Sequence, residues 1–257
     1  MARYVLEVMY DGTCFHGSQI QGSISTVQLE LNKALSTLFR MPILTVGASR
    51  TDEGVHALCS FYHFDIEGQL TIDLKYKCNS ILPGGVAVKR IYRATNPEFN
   101  SRFDAIRRQY RYRIYKHKNP FLLNRALLYP FALDRKILDE AAGIIMEYEQ
   151  FESFSKRKAQ TKTFNCKIYQ SYWEQNGEEL HYIVEANRFL RGMVRGLVAT
   201  QIHFARGKEP LVNLRAIINA RDCTKAYFNV AGHGLYLEQI VYPEGALEQI
   251  VFDTEIK

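Results

Sequence analysis

Residues 106–115, Ile-Arg-Arg-Gln-Tyr-Arg-Tyr-Arg-Ile-Tyr, alternate with a period of two. Arg107, Gln109, Arg111 and Arg113 fall on one side, and Ile106, Arg108, Tyr110, Tyr112 and Ile114 on the other. Only a strand produces that pattern, here with one polar, cationic face and one mainly aromatic and apolar face. Such a strand needs partners for its backbone and a layer over its apolar face.

The rest of the chain supplies both. Arg3 to Tyr10 reads as a strand, followed by a glycine-rich loop from Asp11 to Ser25. Ser25 and Gln28 form a Ser-x-x-Gln capping box, opening a helix whose Val27, Leu31, Ala34, Leu35 and Leu38 share a face. Pro42 starts a short strand through Ile43, Leu44 and Val46, Asp52-Glu53-Gly54 is a turn, and Leu58 to Phe64 returns. Ile72 to Leu82 reads as a helix ended by Pro83-Gly84-Gly85, and Val86 to Tyr92 as a strand. Strand, helix, strand, strand, helix, strand is the order of a split β-α-β unit.

The second half repeats the mixture. Asp134 caps a helix running to about Glu149, and residues 164–173 and 180–186 form a hairpin across Asn176-Gly177. Leu190 to Ala205 and Pro210 to Ala220 read as helices, with Arg188, Arg191 and Arg195 spaced to share a face. Leu235 to Tyr242 closes with a strand. The fold class is α+β, built from two ferredoxin-like or RRM-like α/β halves, residues 1–105 and 106–257.

Charge narrows the partner. The chain has 257 residues and a net charge of +6, with 47% hydrophobic and 23% charged residues, as in a globular protein with a substantial core. Residues 102–118 hold seven Lys or Arg against Asp104 alone, and residues 187–208 hold five and no acid. Two basic stretches suit a polyanion, whereas the acid-rich last fifteen residues read as a solvated end. Cys14, Cys59, Cys78, Cys166 and Cys223 are odd in number and lack a Cys-x-x-Cys pair, against both a disulfide framework and a zinc site. The seven histidines have no ligand spacing, which weighs against a metal-dependent nuclease. No membrane-length apolar run and no signal-peptide pattern are present, so a cytoplasmic location is expected.

Ala48-Ser49-Arg50-Thr51-Asp52-Glu53-Gly54-Val55-His56-Ala57 carries the chemistry. A carboxylate at a turn can simply cap it. An arginine two residues away favours its ionised form, and an ionised carboxylate can act as a nucleophile or stabilise a cation. The segment resembles the A-G-R-T-D-A-G-V-H-A signature of the tRNA pseudouridine synthase A (TruA) family at eight of ten positions. Tyr10-Asp11-Gly12, Phe15, Gly17, Gln19, Gln21 and Thr26-Val27-Gln28 resemble the family's opening. Arg102-Phe103, residues 108–115, Asn187, Phe189, Met193-Val194-Arg195 and Gly234 to Leu237 extend the likeness along the chain.

The resemblance implies an isomerase that converts uridine to pseudouridine in tRNA, in the anticodon stem-loop. It implies two halves whose sheets join into one mixed, mainly antiparallel sheet with a central basic RNA-binding cleft. Asp52 is then the catalytic residue, attacking the sugar, attacking the base or taking a proton from ribose C2′. Tyr110 would lie against the target base, Arg195 would pair with the catalytic aspartate, Arg50 would steady the aspartate or grip a phosphate, and Leu235 would contact substrate. His56 would touch RNA backbone or serve structurally. Nothing is oxidised or hydrolysed in net terms, so no metal and no cofactor are expected. The partners are tRNA or another structured RNA and a second copy in a homodimer, with no membrane and no DNA.

Ser18 stands where the family has tryptophan in G-W-Q, Ser49 replaces a glycine, Glu53 an alanine, and Gly196 a frequent asparagine. These departures leave another tRNA position, or another structured RNA such as ribosomal RNA, open as the substrate. A non-catalytic RNA-binding protein of the same fold is the rival reading, but it would need neither Asp52 nor Arg195.

Overall fold

The computed structural model describes residues 1–157 and 161–251. In chain order the first elements are β1 (Ala2–Tyr10), α1 (Val27–Phe39), β2 (Val46–Gly47), β3 (His56–Ile66), α2 (Leu74–Ile81) and β4 (Val86–Ala94). There follow β5 (Arg107–Tyr115), β6 (Leu127–Leu128), α3 (Arg135–Met146), β7 (Ile168–Asn176) and β8 (Glu179–Ala186). The last are α4 (Met193–Ala205), α5 (Asn213–Asn219), β9 (Leu235–Val241) and β10 (Leu247–Ile250). Contacts divide the chain into residues 1–106 with the segment from 239 onward, and residues 107–238. A simple cut at 105/106 differs from this division, because the chain returns to the first unit at Gln239.

In the first unit the strands run β10–β4–β1–β3, with β2 on β3, and these pairs are antiparallel. The order β4–β1–β3–β2 is that of the ferredoxin-like fold. Tyr4 and Phe64 are cross-strand partners, and Phe39 of α1 sits 6.1 Å from the Phe64 ring, so α1 covers this face. Its Val27, Leu31, Ala34 and Leu35 are buried there, as the helical spacing requires. The opposite face of β3 is covered too. Phe61 and His63 meet Tyr92, Phe99 and Tyr242 in a ring cluster.

Three local expectations change. The cap of α1 is Thr26, whose Oγ1 accepts from the Leu29 amide at 3.3 Å, and not Ser25, which hydrogen-bonds Glu30. Gln28 has other work: its Oε1 accepts from the Ile20 amide, and its Nε2 donates to the Thr45 carbonyl. The strand expected from Ile43 shrinks to Val46–Gly47, because α1 side chains take the backbone groups before it. The Ile43 amide donates to Ser36 Oγ and the Thr45 amide to Asn32 Oδ1. Third, β10 forms where a solvated acidic end was expected, pairing Leu247–Ile250 with Ile91–Ala94 of β4. Residues 252–257 of that acidic stretch lie outside the described residues.

The second unit has the strand order β9–β5–β8–β7, the same relation as in the first. The β5–β8 and β7–β8 pairs are antiparallel, and the short β6 runs parallel to β5. The alternation along β5 is realised. Arg108, Tyr110, Tyr112 and Ile114 are buried, Arg107 is exposed, and Gln109, Arg111 and Arg113 are half-buried. Asp134 caps α3 through the Lys136 and Ile137 amides, as expected. Helix α4 begins at Met193, after Gly192 at φ 75°, so Arg188 and Arg191 precede the helix and share no face with Arg195. Among the described residues no helix is long and apolar enough to cross a membrane.

Candidate active site

Asp52 opens a tight turn. The Val55 amide donates to its carbonyl at 3.2 Å, and Gly54 takes φ 79°, a conformation that favours glycine. Asp52 is half-buried, between buried Thr51 and exposed Glu53. Leading into it, the Ala48 amide donates to the Phe61 carbonyl at 2.8 Å, which ties the segment to β3.

The first loop grips this turn on two sides. Gly12 lies against the Val55 backbone so closely that a Cβ there would fall 2.0 Å from the Val55 oxygen. Its carbonyl accepts from the Gly54 amide at 3.2 Å. On the other side Ser18 and Thr51 pair: the Ser18 amide donates to the Thr51 carbonyl at 3.1 Å, and the Thr51 amide donates to Ser18 Oγ at 2.8 Å. The Tyr10 hydroxyl meets Thr51 Oγ1 at 2.8 Å. Gly17, at φ 88°, passes within 3.0 Å of the Thr51 oxygen, measured from where its Cβ would be. Ser18 looks in sequence like the loss of an aromatic contact, but it is a buried hydrogen-bonding residue. Only the closeness of Tyr10-Asp11-Gly12 to the aspartate segment could have disclosed the clamp, and one-dimensional spacing does not carry it.

His56 is buried beside the first loop. It is 3% exposed, and its Nδ1 lies 3.3 Å from the Gly12 amide and 3.2 Å from Asp11 Oδ1. Arg50 is exposed beside the turn. Glu7, on β1, is 3% exposed and carries its own cations, Lys89 at 3.2 Å and Arg90 at 3.1 Å. Burial alone would raise its carboxyl, but hydrogen bonds from Tyr92, Lys89 and Arg90 hold it below its usual range.

The second unit holds the other three residues read from the sequence. Tyr110 is 7% exposed, with its ring edge-to-face against Phe189 at 5.1 Å. Two residues on, the Tyr112 hydroxyl donates to the Ala231 carbonyl at 2.8 Å. Arg195, in the first turn of α4, clamps the neighbouring Val230 carbonyl with Nε at 3.0 Å and Nη2 at 2.6 Å. Burial lifts the Tyr112 hydroxyl above its usual range, with the Arg195 charge opposing. Gly234 packs flat on Tyr112, and buried Leu235 follows as the first residue of β9. Tyr110 and Tyr112 thus share one face of β5, and the loop before β9 links Tyr112 to Arg195. Gly196 is explained here: a Cβ would sit 2.7 Å from the Phe228 ring and 3.3 Å from Phe154, so asparagine has no room.

The basic character of residues 102–118 is partly spent within the unit. Arg107 pairs with Glu185 at 3.3 Å, Arg111 with Glu238 at 2.9 Å, and Arg113 forks onto Glu179 with two bonds of 2.8 Å. Burial alone would raise the Glu179 carboxyl, but hydrogen bonds from Arg113 and His181 lower it. Among the described residues no three His, Cys, Asp or Glu side chains gather as metal ligands.

Comparison with known proteins gives the kinship. A family model described as tRNA pseudouridine synthase matches residues 149–243. The tRNA pseudouridine synthase A of Parabacteroides distasonis is 40% identical over 248 residues, 95% of this chain and 97% of that protein. The namesake from Bacteroides thetaiotaomicron is 40% identical over 263 residues, covering 100% of this chain and 95% of its own. That of Paraburkholderia phytofirmans is 36% identical, with 95% and 91% coverage. Likeness at this level along nearly the whole chain, together with an aspartate turn gripped by the first loop, places this protein in the tRNA pseudouridine synthase A family.

Proposed function

We propose that this chain isomerises uridine to pseudouridine in the anticodon stem-loop of tRNA, with Asp52 as the reacting carboxylate. The observation that carries the reading is the Asp52 turn itself, a half-buried aspartate whose turn is held by Gly12 on one side and Ser18 on the other. The reaction breaks the bond from ribose C1′ to N1 and joins C1′ to C5. The proton on C5 leaves and N1 gains one. No atom is added or lost and no electrons are transferred, so the reaction needs no redox or hydrolytic cofactor.

Departing uracil delocalises its own negative charge, so one carboxylate suffices where glycoside hydrolysis uses two. Tyr110 supplies a flat face for the flipped base and its hydroxyl a group for proton movement near C5. Arg195 supplies a cation for the reaction, Arg50 grips a backbone phosphate, and Leu235 packs against the uracil. The cations left exposed on the surface bind phosphates, so affinity falls as salt rises. The enzyme works as a homodimer in the cytoplasm.

Asp52→Asn tests the reading. Asparagine keeps the size and turn preference of aspartate but cannot act as a carboxylate. Turnover on pre-folded tRNA should vanish while tRNA binding stays within about twofold, since removing an anion does not weaken binding to a polyanion. A wild-type protein that binds tRNA and forms no pseudouridine supports the non-catalytic rival. An Asn variant with the wild-type single-turnover rate shows that Asp52 is not the reacting group.

A further inference from the structure

We infer that Ser18 is a positioning residue for Asp52, acting through Thr51. The inference rests on Asp52 being the reacting carboxylate. Ser18 is 2% exposed and meets Thr51 with both its amide and its hydroxyl. Its own carbonyl accepts from the Gln28 amide at 3.0 Å, so the anchor is α1. From the other side the hydroxyl of Tyr10, the last residue of β1, holds Thr51 Oγ1.

Every polar group of Thr51 is therefore engaged. Its amide goes to the Ser18 side chain, its carbonyl to the Ser18 backbone and its hydroxyl to Tyr10. The peptide plane that joins Thr51 to Asp52 is rigid, so fixing the Thr51 carbonyl also fixes the start of the Asp52 backbone. The Asp52 carbonyl is held in turn by the Val55 amide, so the main chain that carries the carboxylate is restrained on both sides.

The serine hydroxyl supplies something that the main chain of the first loop does not, an acceptor for the Thr51 amide. Tryptophan, which the family usually carries at this place, has an N–H donor and no acceptor. It cannot make the contact. The serine hydroxyl thus ties the first loop directly to the residue that precedes the reacting carboxylate.

Ser18→Ala removes the acceptor and leaves the Thr51 amide buried without it. Displacing a reacting group by an ångström costs on the order of a hundredfold in rate. Single-turnover pseudouridine formation should fall about tenfold to a hundredfold, while the tRNA Kd stays within about twofold, because Ser18 is buried. Tyr10→Phe should move the same two readouts in the same way, with a smaller fall.

Asn79→Ala is the control for simple destabilisation. It removes two hydrogen bonds of the same kind, to the Val88 amide at 2.7 Å and the Val88 carbonyl at 2.9 Å, between α2 and β4. It should lower the melting temperature as Ser18→Ala does and leave the rate constant unchanged. Wild-type rates in both Ser18→Ala and Tyr10→Phe would overturn the inference, as would an Asn79→Ala rate as low as that of Ser18→Ala. If Ser18→Ala does not fold, Tyr10→Phe decides alone, and a wild-type rate there overturns the inference. A full-rate Asp52→Asn variant would instead remove the functional reading on which this one stands, so the two failures are separable.

Discussion

Gly12→Ala should disable the protein through one methyl group. No left-handed backbone angle is needed at Gly12, so alanine is not excluded by conformation. The obstacle is spatial. The added Cβ would lie 2.0 Å from the Val55 oxygen, 2.4 Å from its carbonyl carbon and 2.7 Å from its nitrogen. Real Cβ atoms essentially never come within 3.0 Å of such atoms, so the two backbones must part by about 1 Å. Neither can give way at a flexible tip, because all three atoms are main chain. The separation would stretch the 3.2 Å bond from the Gly54 amide to the Gly12 carbonyl beyond hydrogen-bond length. Overpacking costs about 1–3 kcal/mol and the lost bond about 1 kcal/mol. At about 2–4 °C per kcal/mol for a chain of this size, the melting temperature should drop by roughly 5–15 °C. The Val55 amide closes the Asp52 turn, so the same shift should lower single-turnover pseudouridine formation by about a hundredfold. Differential scanning fluorimetry and a single-turnover assay on folded tRNA read the two effects. A variant that melts within about 2 °C of wild type and reacts at the wild-type rate would refute the claim that Gly12 and Val55 are in direct contact.

Two other outcomes concern different parts of the molecule. Burial, reinforced by the Arg3 charge and opposed by Asp65 and Asp104, lowers the His63 imidazole from its usual 6.5 to about 4. The unfolded chain therefore binds more protons across that window, and stability present above pH 6.5 is lost as the pH falls towards 4, at about 1.4 kcal/mol per pH unit. His63→Asn keeps an acceptor for the Ser101 amide and should show a shallower loss over this range by urea unfolding; identical pH slopes would contradict the assignment. Gly196→Asn, which installs the residue the family often has, should cost about 1–3 kcal/mol by driving a side chain into the Phe228 ring. A Phe228→Ala change should recover part of that loss, and strict additivity in the double-mutant cycle would argue against the contact.

The strand at residues 107–115 is legible because its pattern is local: alternation decides the face of every side chain before any partner is known. The turn after Asp52 is legible for the same reason, as glycine marks it. The cap of α1 is not. Ser25 and Thr26 are equally able to cap, and the choice falls to Thr26 because the Gln28 side chain is bound to Ile20 and Thr45. The short β10 escapes notice because only its backbone carries the pairing with β4. The β5 arginines read as free charge, since their carboxylates arrive from Glu179, Glu185 and Glu238, more than sixty residues away. The aspartate of the candidate site stands in a contiguous signature, but the residues that steady it come from a loop thirty to forty positions earlier.

The return of the chain to the first unit at Gln239 has a consequence for biosynthesis. Residues 107–238 form a continuous stretch, so the second unit has all its parts once the rest of β9, to Val241, leaves the ribosome. The first unit, although translated first, still lacks β10, which pairs with Ile91–Ala94. Until those residues emerge, the nascent β4 edge carries unpaired amides and carbonyls, a template for pairing with other chains. The usual vectorial order, in which the amino-terminal portion matures before the carboxyl-terminal one, is therefore inverted. A premature stop just after Val241 would release a polypeptide with an intact carboxyl-terminal unit and an adhesive amino-terminal one.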